Sequence, residues 1–80
     1  MPNVFRRPIN GYRLFFYSNE GSEPPHVHVQ KAENAAKFWI DPVKLDWNEG
    51  FSSQQISFIE KMIRARKTRI LNAWNEYFTS

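Results

Sequence analysis

Eighty residues with 41% hydrophobic content, thirteen aromatic residues and no cysteine describe one small domain with a bulky core. That composition excludes a disordered tail, a disulfide framework, thiolate chemistry and cysteine-based zinc sites. The net charge of +3 is uneven. Residues 1–50 balance, whereas residues 51–80 carry Lys61, Arg64, Arg66, Lys67 and Arg69 against only Glu60 and Glu76.

The start, Met1-Pro2-Asn3-Val4-Phe5-Arg6-Arg7, has no apolar run behind its charges, and no stretch approaches the length of a membrane span. The expectation is a soluble, cytoplasmic chain without a membrane partner. Val4-Phe5 opens a short strand that Pro8 confines to an edge. Asn10-Gly11 is the dipeptide of a two-residue hairpin turn, because both positions tolerate positive φ. Tyr12 to Tyr17 is aromatic and apolar on both faces and reads as a strand. Ser18 to Glu23 is turn chemistry and reads as a mobile loop.

Pro24-Pro25-His26-Val27-His28-Val29 then holds the backbone extended and alternates with period two. His26 and His28, the two histidines of the chain, share one face of a strand over about 26–31, roughly 6.5 Å apart in rise. The valines face the core. A tight connection at Ala32-Glu33-Asn34 leads to a strand from Ala35 to Ile40, broken at Asp41-Pro42. The alternation resumes with Val43, Leu45 and Trp47 on the core side. Strand parity assigns His26, His28, Lys37, Trp39, Lys44 and Asp46 to the outer face, joined by Arg13 and Tyr17.

After Gly50 the period becomes helical. Ser52 and Gln55 form a capping box, with Phe51 and Ile56 as a hydrophobic staple. Ile56, Ile59, Ile63, Ile70, Trp74 and Tyr77 make one apolar stripe, which Arg66 and Lys67 interrupt. The interruption predicts two helices, about 52–65 and 67–78. A sheet and a helix each with one apolar face need one another, so the fold class is α+β: about four antiparallel strands packed by a C-terminal helix pair.

Gly11-Tyr12-Arg13-Leu14-Phe15-Phe16-Tyr17, the Pro-Pro-His-x-His element at 24–28, and the ending Leu71 to Phe78 together resemble the bacterial family of domain of unknown function 4160. The resemblance implies a small α+β protein of bacterial chromosomes and mobile elements. It also implies a neighbouring gene of the domain-of-unknown-function 2442 family, in a layout like a toxin–antitoxin pair. It supplies no catalytic residues.

The residues themselves leave several readings open. The two imidazoles can act as general base and acid on RNA without a cofactor, with Arg13 or Lys37 steadying phosphate charge. They can instead hold a divalent metal, given a third ligand from Glu23, Asp41 or Asp46, or from a second molecule in a homodimer that shares ligands. The plainer reading is that Pro25 and the histidines shape the strand, one imidazole bonding the backbone of the 18–23 loop. Trp39 and Phe58 fall opposite the apolar sides of their elements and suggest a contact surface. Trp39 and Lys37, with Lys61, Arg64, Lys67 and Arg69, are the binding candidates, for a small antitoxin-like protein, RNA or DNA. The expected function is the toxin of a toxin–antitoxin-type module that acts on RNA or translation. The alternatives are a non-catalytic regulator that binds nucleic acid or protein and a metal-dependent hydrolase built on the histidine pair.

Overall fold

The computed structural model describes residues 2–79. Its elements are β1 (Arg13–Phe15), β2 (His26–Lys31), β3 (Asn34–Ile40), β4 (Val43–Glu49), α1 (Ser53–Ala65) and α2 (Lys67–Thr79). The strands form one antiparallel sheet in sequence order, and the two helices follow it, which is the expected α+β class. Among the described residues, no helix is long and apolar enough to cross a membrane.

Local chemistry accounts for the boundaries. Asn10 and Gly11 both take positive φ, and Ile9 bridges Tyr12 across them. The N-terminal segment covers the edge of β1: Val4 N–H donates to the Leu14 carbonyl and Phe16 N–H to that of Pro2. This replaces the strand expected at Val4-Phe5, and β1 itself is shorter than the aromatic run that suggests it. Both halves of the capping box at Ser52 and Gln55 are made. The helix breaks at Arg66, whose φ of −116° and ψ of 18° leave the helical region. A straight helix would drive Arg66 and Lys67 into the apolar stripe; the break lets both stay at the surface.

The core lies between the helices and one sheet face. Leu14, Val27, Val29, Ala36, Phe38 and Ile40 meet Ile59, Met62, Ile63 and Ile70, all buried. The opposite face carries Phe15, His28, Lys37 and Trp47 in neighbouring register positions, with His26 beside Trp39.

Several expectations fail here. Leu45, expected on the core side, and Tyr77, expected on the apolar stripe, are both exposed. Trp47 is not on the core side: Lys37 pairs with Trp47 but Phe38 pairs with Leu45, so Asp46 is an extra residue in a bulge. One extra residue inverts the alternation, which turns Trp47 to the histidine face at 38% exposure. The histidine face is also not an open surface. His26 is 0% exposed and His28 6%, because the 17–25 segment folds over them and Trp74 of α2 packs against His26 at a centroid distance of 4.9 Å.

Candidate functional site

Two turns shape the covering loop: Glu20 N–H donates to the Tyr17 carbonyl, and Glu23 N–H to the Glu20 carbonyl. Gly21 lies against the end of α2, where a Cβ would come within 2.5 Å of the Phe78 ring. That close approach needs glycine and holds the loop against α2. The loop thereby delivers Glu20, half-buried, above β2.

Glu20 Oε1 lies 2.8 Å from His26 Nε2 and 2.8 Å from His28 Nε2. The remaining nitrogen of His26, Nδ1, donates to the Pro24 carbonyl at 3.0 Å. The second proline of the motif thus serves a purpose beyond extension, since it turns the Pro24 carbonyl into an orienting group for the ring. Aromatic rings wall the pair: Phe15 stacks on His28 at 5.6 Å, Tyr17 meets it edge-on at 4.5 Å, and Trp47 lies at 6.1 Å. His26 contacts Trp39 as well as Trp74.

A second ionic group adjoins the first. Lys37, 8% exposed, places Nζ 3.0 Å from Glu23 Oε1 and 3.5 Å from Asp46 Oδ2, and 4.4 Å from the centroid of Trp39. Burial alone would lower its pKa, but Glu23 and Asp46 outweigh that and hold it above the ordinary lysine value. Burial pushes the His28 pKa down, and the facing Glu20 carboxylate only partly offsets it. For Glu20, burial favours the neutral acid, yet the two imidazoles outweigh it and hold the carboxyl below its usual range. The site therefore favours an ionised Glu20 and a neutral His28.

The expected site residues divide cleanly. His26 and His28 converge, as their shared strand face requires. Arg13 does not join them: its guanidinium bonds the Gln30 side chain and lies over Phe15. Lys37 is tied into its carboxylate pair and is not a free binding cation. Trp39 lines a small cleft with Pro24, Pro25, Pro42 and Lys44. Of the three carboxylates expected as a third ligand, Glu23 engages Lys37 and lies 4.0 Å from His26 Nδ1, the nitrogen turned away from Glu20, while Asp41 binds Lys67 at 2.8 Å and Asp46 sits in the bulge. The group that arrives is Glu20, six residues before His26 in a polar loop, where no spacing rule marks it.

A separate basic region forms at the α1–α2 junction. Three adjoining clefts share Arg66 in their walls. One of about 720 Å³ is lined by Arg6, Arg7, Arg66 and Arg69, with Phe5, Pro8 and Ile9. Lys61 lines the second, and Arg64 and Lys67 the third. Arg64 pairs with Glu60 at 3.1 Å, and Lys67 with Asp41. Among the described residues, no carboxylate lies within salt-bridge distance of Arg6, Arg7, Arg66 or Arg69. The Arg69 guanidinium lies 5.0 Å from the Phe5 ring centroid, and that contact joins the N-terminal segment to α2.

The fold is thus a four-stranded antiparallel sheet with a C-terminal helix pair, enclosing a His-His-Glu cluster on the sheet face away from the main core. Residues 11–75 match the family described as Domain of unknown function (DUF4160), and the chain belongs to that family. No curated protein and no solved structure matches the chain.

Proposed function

We propose that this protein is the toxin component of a two-protein toxin–antitoxin-type module, that it contacts RNA through the arginine-lined clefts, and that a small partner protein restrains it. The observation that carries the reading is the convergence of Arg6, Arg7, Arg66 and Arg69 on one cleft without neutralising carboxylates. Guanidinium groups bind phosphate bidentately, and uncompensated ones left at a surface favour a polyanionic ligand. The arginines line recesses between the N-terminal segment and the helix junction rather than a protruding helix. That shape suits a flexible single strand better than a rigid duplex.

The burial of His26 argues for occupancy of RNA rather than acid–base cleavage by the imidazole pair, since a general base must reach its proton. The partner is assigned to β4, the edge strand, which presents Leu45 and Trp47 beside unpaired backbone groups. An extended segment of a small protein adds to such an edge by backbone pairing.

Expression in a bacterium that lacks the neighbouring reading frame tests the function, read as growth and as incorporation of labelled amino acid. The wild type is expected to halt both. Co-expression of the neighbouring frame, or the Arg66→Gln/Arg69→Gln double substitution at matched soluble level, is expected to restore them. Growth equal to an empty vector at that level contradicts the proposal.

A further inference from the structure

We propose that Glu20, His26 and His28 form a binding site for one first-row divalent cation of the zinc type, with a fourth coordination position left for water or another ligand. The proposal is independent of the RNA reading, because it rests on different residues from the arginine clefts.

Four observations carry it. The three donor atoms, one from each residue, lie within 4.8 Å of one another. Two imidazole nitrogens and one carboxylate oxygen are the donor set of catalytic zinc sites and of the facial triad of non-haem iron. Metal–ligand bonds near 2.0–2.1 Å require tetrahedral ligands about 3.3 Å apart, so the two 2.8 Å contacts to Glu20 open by about 0.5 Å while the two imidazole nitrogens, within 4.8 Å of each other, draw together.

The second observation concerns the ring of His26. Because the Pro24 carbonyl can only accept, Nδ1 of His26 carries a hydrogen, which leaves Nε2 as the nitrogen that faces Glu20 Oε1 and is placed to ligate. A proton on the ring or a metal cation between the two atoms satisfies this 2.8 Å contact, and the imidazole ¹⁵N shifts distinguish the two. A hydrogen bond from the second nitrogen to a backbone carbonyl is also how metal-bound imidazoles are oriented.

The third is charge. Glu20, Glu23 and Asp46 against Lys37 give three negative charges and one positive, a net of −2 before the imidazoles are counted. A divalent cation balances it. The fourth is enclosure: Phe15, Tyr17 and Trp47 surround His28 and keep the donors largely from bulk water, so that little ordering is needed on binding. When bound, the cation ties the loop to β2 and leaves the side towards Tyr17 and Trp47 for a fourth ligand.

The test is titration of the chelator-stripped wild-type protein with Zn²⁺, followed by calorimetry and by ¹⁵N shifts of the imidazoles. His26 and His28 are the only histidines and the chain has no cysteine, so the imidazole signals report this site alone. About one Zn²⁺ per chain is expected, with both Nε2 resonances moving together and Nδ1 of His26 retaining its proton. Glu20→Gln preserves size and hydrogen bonding and is expected to weaken binding at least ~10-fold, as is His28→Gln. Unmoved imidazole resonances in the wild type overturn the proposal without reference to any variant. Zn²⁺ affinity unchanged in both folded variants overturns it as well, since the ion then binds elsewhere.

Discussion

Lys37 shows how the environment of one residue sets a measurable property. Its ammonium is nearly enclosed and faces Glu23 and Asp46, both partly exposed. The folded pKa lies above the ordinary lysine value, so the pair's contribution is complete below about pH 10.4 and is lost as pH rises through the higher folded value. Lys37→Met is expected to cost about 1–2 kcal/mol at pH 8, because it leaves two carboxylates without their cation and solvent screens part of the loss. Urea unfolding of both proteins checks this: the gap between them should narrow above about pH 10.4 and vanish at higher pH. A gap independent of pH would mean that Lys37 acts through its methylenes alone. The sequence places Lys37 on the histidine face correctly but gives no sign of this pairing, since Glu23 and Asp46 reach it from a loop and a bulge.

At the scale of elements, the bulge in β4 and the packing of α2 make opposite statements about two tryptophans. Trp74 is 5% exposed and meets Phe16, Phe78 and His26 at centroid distances of 5.3, 4.2 and 4.9 Å. Trp74→Ala should cost about 3–5 kcal/mol, which a domain of this size barely survives. Trp47, turned outward by the bulge at Asp46, should lose under about 1 kcal/mol on the same change. Equal losses in chemical denaturation would place Trp47 in the core after all. Helical spacing places Trp74 inside and strand alternation places Trp47 inside; the second fails because a bulge is a tertiary feature that period-two counting does not register. By contrast, the turn at Asn10-Gly11, the cap at Ser52 and the break at Arg66 are local events. Each follows from the chemistry of a few adjacent residues, and each is legible in the sequence.

At the scale of the whole molecule, what the sequence leaves out is convergence. His26 and His28 are readable as a pair because strand parity is local, but Glu20 joins them only through the folding of a polar loop against Phe78 and the sheet. Likewise the five basic residues of 61–69 are visible as a cluster. Arg6 and Arg7 reach Arg66 and Arg69 only because the N-terminal segment pairs with β1 and lies along α2. The proposed RNA binding depends most on that second convergence, and fluorescence anisotropy with a short single-stranded RNA across a range of salt tests it directly. With three to four arginines neutralising phosphates, log K should fall against log salt with a slope of about −2 to −3. The Arg66→Gln/Arg69→Gln double variant should flatten the slope by about 1.4, or about 0.7 for each phosphate no longer neutralised. Duplex DNA of equal length should bind more weakly. No RNA binding at low salt, or a slope that the double variant leaves unchanged, would contradict the assignment of the arginine clefts to RNA.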